Sequence, residues 1–255
     1  MRKALLLVAY GASNPASRFA LAGFEARCRG LFPGIPIRWA YTSTIMRERL
    51  ARQRQKSDSV AKALTRLYFE KYDAIAIQPL HLIAGREYEE VRSAVESARS
   101  GFGLACALGA PLLAADTGKV ARALLEHLPC GRKPGEDVIF MAHGARHSSE
   151  QMYFDLAAEA ARLDPHIHIG TMSGSLALEA IIAKLRSRVV WLLPLLSSVG
   201  LHAVRDMAGP DEQSWRGRIE ASGRTCRPVL SGMVEGNALA GIWIEHLAKA
   251  VGELG

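Results

Sequence analysis

Two histidines and a glutamate stand where α/β proteins place their chemistry. His143 directly follows the apolar run Val138-Ile139-Phe140-Met141-Ala142 and precedes Gly144, so the chain can turn sharply and leave the imidazole unobstructed. His202 comes eight residues after Pro194, with Asp206 one helical turn further on, and Glu87 comes eight residues after Pro79. Two neutral imidazoles with a carboxylate suit a borderline divalent ion such as cobalt, nickel, iron or zinc, whereas magnesium or calcium would call for oxygen ligands. An imidazole with a pKa of about 6.5 also accepts protons near neutrality, so one residue could hold a metal and take up a proton in the same reaction. Each residue also has an ordinary explanation: His143 as a strand-end cap on a neighbouring carbonyl, His202 as a plain helix residue, and Glu87 as a first-turn carboxylate favoured by the helix dipole.

An internal repeat raises these residues above their ordinary explanations. Leu5-Leu6-Leu7-Val8-Ala9-Tyr10-Gly11-Ala12 matches Val138-Ile139-Phe140-Met141-Ala142-His143-Gly144-Ala145, with Tyr10 in the place of His143. Gln78-Pro79-Leu80-His81, running through Gly85 to Glu87, matches Leu193-Pro194-Leu195-Leu196, running through Gly200 to His202. Glycine and ionisable residue keep the same distance from proline in both copies. One scaffold has been used twice, with its polar residues changed.

Strands are expected near residues 4–10, 35–41, 74–78, 104–108, 138–142, 167–170, 189–193 and 224–229, alternating with amphipathic helices. That alternation is the pattern of an α/β protein with parallel sheets. Ser57 is read as the cap of a helix carrying Val60, Leu64 and Leu67, and Asp116 as the cap of one carrying Val120, Leu124 and Leu128. Residues 130–136 combine Gly, Pro and charge and break every period, which places a boundary there. The expectation is two similar Rossmann-like domains, 1–130 and 131–255, each with a four-stranded parallel sheet flanked by helices, and with the C-terminal helix able to pack back on the first domain. Ligands of such sheets gather beyond the carboxyl ends of the strands. Tyr10, Ser13, His81, Glu87, His143 and His202 all lie at or just past those ends, so a cleft between facing domains is the expected site. Tyr10, Ser13 and His81 are candidate binding residues, although Ser13 or Asn14 could equally cap a helix whose first turn contains Pro15. His127, His147, His166, His168 and His246 are read as solvated or packed.

Thirty-two basic and twenty-five acidic residues give a net charge of +7, a surface that attracts anions. No basic block with interleaved aromatics and no DNA-binding motif is present, so a small polyanion fits better than nucleic acid. No apolar run approaches the roughly 20 residues needed to cross a bilayer. Met1-Arg2-Lys3 and the apolar stretch after it imitate a short signal peptide but read as a first strand, and a cytoplasmic protein is expected. Cys28, Cys106, Cys130 and Cys226 show no paired spacing and are expected to be reduced. There is no dinucleotide fingerprint, P-loop or nucleophile elbow, so no nucleotide cofactor is expected.

The same residues carry a resemblance. The segments 8–13, 40–43, Gln78-Pro79-Leu80-His81-Leu82-Ile83-Ala84-Gly85-Arg86-Glu87-Tyr88, 141–144, 194–208, 211–215 and 230–232 are similar to the anaerobic cobalt chelatases of cobalamin synthesis, over essentially the whole chain. The resemblance implies a class II chelatase fold and ATP-independent insertion of a divalent metal, cobalt before iron or nickel, into sirohydrochlorin, whose eight carboxylates would answer the basic surface. It assigns His143 and Glu87 to catalysis, and His143 and His202 to the metal. The family's third metal ligand, a glutamate followed by glycine, falls here on Ser173, with Glu179 six residues on as a conceivable substitute. Arg86 replaces an acidic residue beside Glu87 and would pair with it or with a substrate carboxylate. Iron or nickel chelation on the same tetrapyrrole, and a non-catalytic tetrapyrrole or metal carrier, are the competing readings; homo-oligomerisation is left open.

Overall fold

Parallel strands covered by helices on both faces never meet water, so they read as near-continuous apolar runs instead of alternating ones. The first sheet shows this plainly. Strand β1 (Lys3–Ala9) is buried from Ala4 onward, and β3 (Ala74–Pro79) is buried throughout. The computed structural model describes residues 1–12, 14–114, 116–145 and 150–255. Within them β1, β2 (Ile37–Tyr41), β3 and β4 (Ala105–Leu108) form one sheet, while β5 (Asp137–Ala142), β6 (Ile167–Thr171), β7 (Val189–Pro194) and β8 (Thr225–Pro228) form a second. All pairings are parallel, and the eight strands lie within two residues of their expected bounds.

The strand orders are β2-β1-β3-β4 and β6-β5-β7-β8, the same topology twice. The registers repeat as well, because Val8 faces Pro79 in the first sheet and Met141 faces Pro194 in the second. Two residues beyond those partners stand Tyr10 and His81 in one sheet, and His143 and Leu196 in the other. The internal repeat is therefore a repeat of tertiary structure.

The helices are α1 (Pro15–Leu31), α2 (Thr44–Arg52), α3 (Val60–Phe69), α4 (Arg86–Phe102) and α5 (Thr117–Glu126), then α6 (Gln151–Leu163), α7 (Leu178–Ile182), α8 (Trp215–Ala221) and α9 (Asn237–Gly252). Asn14 caps α1 by accepting from the Ser17 amide, and Asp116 caps α5 by accepting from the Gly118 amide. The cap of α3 is Ser59 and not Ser57, whose hydroxyl donates to the Arg47 carbonyl instead. Ser59 stands immediately before the first helical residue, where a cap must be to reach the free amides.

The chain divides into one unit of Met1–Ala115 with Ala240–Gly255, and another of Asp116–Leu239. The break precedes α5, so the expected boundary at 130 falls inside the second unit. Each half of the repeat sends its last helix away, α5 joining the second unit and α9 for the most part joining the first. An apolar stripe specifies that a helix must be covered but not which sheet covers it.

In the first unit, one apolar cluster joins Leu6 and Val8 of β1 and Ile75 and Ile77 of β3 to Leu64 and Leu67 of α3 and Val91 and Val95 of α4. Trp243 of α9 is fully buried, meets Phe24 of α1 edge-on at 6.4 Å and donates its indole N–H to the His81 carbonyl at 3.3 Å. In the second unit, Ile139, Met141, Val190 and Leu192 of the sheet pack with Ile181, Trp215 and Ile219. Trp243→Ala should lower unfolding free energy by about 3–5 kcal/mol, the usual cost of truncating a large buried aromatic, measured as a shift of the urea midpoint.

Candidate active site

The centre of the site lies at the carboxyl ends of β5 and β7, where the second sheet reverses its strand order. His143 leaves β5 into Gly144, which adopts φ +90°, a conformation that suits glycine. A Cβ on Gly144 would stand 1.8 Å from the Ser173 carbonyl oxygen, so the loop after β6 lies directly against this turn. Ser173 holds it there: its amide donates to the His143 carbonyl at 3.1 Å and its hydroxyl to the same oxygen at 3.0 Å. Ser173, expected from the resemblance at the place of a third metal ligand, is bonded to the backbone of His143.

His202 opens a π-helical turn, His202–Met207, after β7. Such turns are uncommon and concentrate at functional sites. Its ring stands perpendicular to that of His143, centroids 4.7 Å apart at 87°. Its Nδ1 lies 2.5 Å from Asp206 Oδ2, the one-turn pairing expected from sequence. With Nδ1 as donor to that carboxylate, the lone pair is on Nε2, which is how a carboxylate orients a metal-binding imidazole. Leu201 and Val204, both about half exposed, leave an apolar rim on either side of His202.

His143 has a side open to solvent, yet the protein around it desolvates the imidazole and the neighbouring His202 repels a second positive charge. Together they push its pKa down to about 4, against the weaker opposing pull of Asp206. His143 is thereby neutral at physiological pH, the form that coordinates a metal.

The first unit shows the corresponding strand ends in a different chemical form. Tyr10 is about half exposed past β1, and the following turn is tight, since a Cβ on Gly11 would stand 2.4 Å from Met46 Cβ of α2. His81 follows β3; both its ring nitrogens are buried without a hydrogen-bond partner among the described residues, and burial pushes its pKa down to about 4. Glu87 lies partly buried in the first turn of α4, as expected, and its carboxylate has no partner among the described residues. Arg86 pairs with Glu90 at 3.2 Å and not with Glu87. Ser13 and His147 lie outside the described residues.

Glu179, the conceivable substitute for the missing glutamate, is at the start of α7, mostly exposed and paired with Arg218. Glu150 escaped the sequence reading; it accepts from the Ser175 amide and fills the space a side chain on Gly174 would need, so it shapes the loop that carries Ser173. A polar network at the opposite, amino-terminal end of these strands was also missed. The fully buried Asp137 carboxylate is bonded by the amides of Arg186 and Ser187 at 2.7 and 2.6 Å and by the rings of His166 and His168 at 3.0 and 3.3 Å. Those histidines are packed polar groups tying strand starts together. The only sequence signal was a carboxylate opening a buried strand. Cys28, Cys106 and Cys226 are buried free thiols, whereas Cys130 is an exposed one.

Among the described residues no three His, Cys, Asp or Glu side chains converge as a closed metal cage. What the described residues bring together is the pair of imidazoles of His143 and His202. No helix among those residues is long and apolar enough to cross a membrane.

Solved structures with this fold include SirB from Bacillus subtilis with Fe3+ (TM-score 0.68, 13% identity, 98% of this chain and 96% of that one). The sirohydrochlorin chelatase SirB from Bacillus subtilis subspecies spizizenii in complex with cobalt is also similar (TM-score 0.66, 11% identity, 99% and 97%). The two parallel four-stranded sheets are those of the class II chelatases. Sequence gives the narrower assignment: residues 3–252 match the model of the cobalt chelatase (CbiK) family, and the chain belongs to that family. Relatives are the sirohydrochlorin cobaltochelatase CbiKC of Nitratidesulfovibrio vulgaris, 51% identical over 99% of this chain and 92% of that protein, and the sirohydrochlorin cobaltochelatase of Salmonella typhimurium, 33% identical over 98% and 97%.

The depressed pKa of His81 has a consequence for stability. The unfolded chain binds a proton at this residue near pH 6.5 and the folded chain only near 4, so stability present above the upper value is lost as pH falls through that window. His81→Phe should flatten the fall in urea midpoint between pH 6.5 and 4. An unchanged slope would show that the imidazole is not desolvated as described.

Proposed function

We propose that this protein inserts cobalt into sirohydrochlorin, without a nucleotide, in anaerobic cobalamin biosynthesis. The observation that carries the reading is the perpendicular His143–His202 pair at the strand ends of a cobalt chelatase family member, with one ring held neutral and the other oriented by Asp206.

The reaction exchanges one dication for two pyrrole protons, so the charge at the macrocycle centre is conserved. His143 and His202 would bind the ion through imidazole nitrogens while water and then ring nitrogens fill its open positions. A base with a pKa near 4 is a weak acceptor in isolation. It takes a proton best from a pyrrole N–H already made acidic by the approaching ion, as its own bond to the metal is released. Glu87, whose carboxylate has no partner among the described residues, is assigned to the second proton; Tyr10 and His81 are assigned to macrocycle binding. The apolar rim of Leu201 and Val204 suits the flat ring.

His143→Ala should reduce cobalt insertion by at least about a hundredfold, the lower range for losing a positioned acid–base group, with macrocycle binding retained. Both are read from the absorbance of sirohydrochlorin, and insertion at wild-type rate would refute the assignment.

One observation favours a second reading in which iron or nickel is the metal. Ser173 brings no negative charge and its hydroxyl is bonded to the His143 carbonyl, so the metal site lacks the carboxylate that the family places there. Initial rates with cobalt, ferrous iron and nickel on sirohydrochlorin should rank cobalt first; iron or nickel ranking first would establish the alternative.

A further inference from the structure

More than half of the chain's net charge lies in thirteen residues of the first unit. Residues 44–56 contain Arg47, Arg49, Arg52, Arg54 and Lys56 against the single acid Glu48, a local charge of +4 out of +7. Arg47 turns inward, donating to the carbonyls of Tyr41 and Thr42 and to the Thr44 hydroxyl. The other four cations are exposed, and none is paired with a carboxylate among the described residues. Elsewhere exposed arginines such as Arg29, Arg92 and Arg162 lie against an acid three or four residues away.

Helix stability explains only part of this cluster. Arg49 and Arg52 occupy the last turn of α2, where cations complement the helix dipole. Arg54 and Lys56 lie beyond the helix. Arg54 moreover adopts φ +56° just past the end of α2, a position that glycine fills at least cost. An arginine kept there against its backbone preference is a reason to look for what its side chain does.

The segment is fixed at the carboxyl ends of β1 and β2. The Thr42 amide bonds the Ala9 carbonyl at 3.0 Å and the Ser43 amide bonds the Tyr10 carbonyl at 3.1 Å, while Met46 covers Gly11. Ile45, Arg49 and Arg52 fall on one helical face by their spacing of four and three. Ile45 is 62% exposed and Tyr10 47%. A flat apolar body with carboxylates around its rim needs this combination: aromatic and aliphatic surface beside several unneutralised cations.

We propose that residues 45–56, together with Tyr10, form the surface of the first unit that receives the peripheral carboxylates of the tetrapyrrole. This rests on the sirohydrochlorin reading above and adds to it the group that recognises the substrate's rim. Guanidinium groups pair with carboxylates through two parallel hydrogen bonds, so the surface orients the macrocycle as well as attracting it.

The test compares two variants that carry the same net charge. Arg49→Gln, Arg52→Gln, Arg54→Gln and Lys56→Gln together empty the surface. Arg29→Gln, Lys133→Gln, Arg162→Gln and Lys249→Gln together remove as much charge elsewhere. Sirohydrochlorin affinity is measured by absorbance titration in about 20 mM and about 300 mM salt, with circular dichroism and cobalt affinity confirming that each variant is folded. The surface variant should bind at least about tenfold more weakly in low salt and lose most of its salt dependence, and the control should change by less than about threefold. Equal weakening in both variants would reduce the effect to overall charge and overturn the proposal, as would unchanged affinity in the surface variant. Loss of heparin retention with sirohydrochlorin affinity intact would assign the surface to a polyanionic macromolecule instead. Wild-type protein that fails to bind sirohydrochlorin would refute the substrate reading itself, a result separate from any difference between the variants.

Discussion

Each sheet reverses its strand order between its two central strands, and the site depends on that reversal. Connections leave β1 and β3 in opposite directions, as they do β5 and β7, so the backbone opens between the carboxyl ends of the central pair. The strands that end there are among the most buried in the protein, so the residue that follows each has a rigid support. Tyr10, His81 and His143 are first or second residues beyond such strands, and His202 and Glu87 begin the turns that follow. The precision of these positions is thus supplied by the core.

The same scaffold appears twice with unequal chemistry. The second copy places imidazoles after β5 and at the π-helical turn, whereas the first has a phenol and a carboxylate in the corresponding places. Divergence of this kind needs few changes, because the supporting registers are shared and only the side chains at the strand ends differ. Desolvation by the surrounding protein and a neighbouring imidazole hold the pKa of His143 down, while Asp206 orients His202. One ring is suited to coordination by its environment and the other by its partner.

Ser173 acts on the backbone of the turn that carries His143. Its amide and hydroxyl both bond the His143 carbonyl, and Gly144 has lost the space for a side chain to the same contact. The loop after β6 therefore fixes the direction in which His143 leaves its strand. A glutamate there would bring a negative charge; the serine brings a hydrogen bond to the backbone of His143.

Much of this was legible in the sequence, because apolar runs, helix caps and the repeat are local signals. All eight strands, the cap at Asp116, the His202–Asp206 pair and the placement of Glu87 in the first turn of its helix follow from residue types and spacing alone, whereas the first helix had Ser13 and Asn14 as equal candidates for its cap. What only the tertiary structure decided are contacts between segments distant in the chain. These are the exchange of α5 and α9 between units, the clamp of Ser173 on His143, and the gathering of His166 and His168 on Asp137 at the amino-terminal end of the strands. The physical reason is that burial and periodicity state that a side chain must be covered or a polar atom satisfied. Which partner does so is settled only when the sheets have formed.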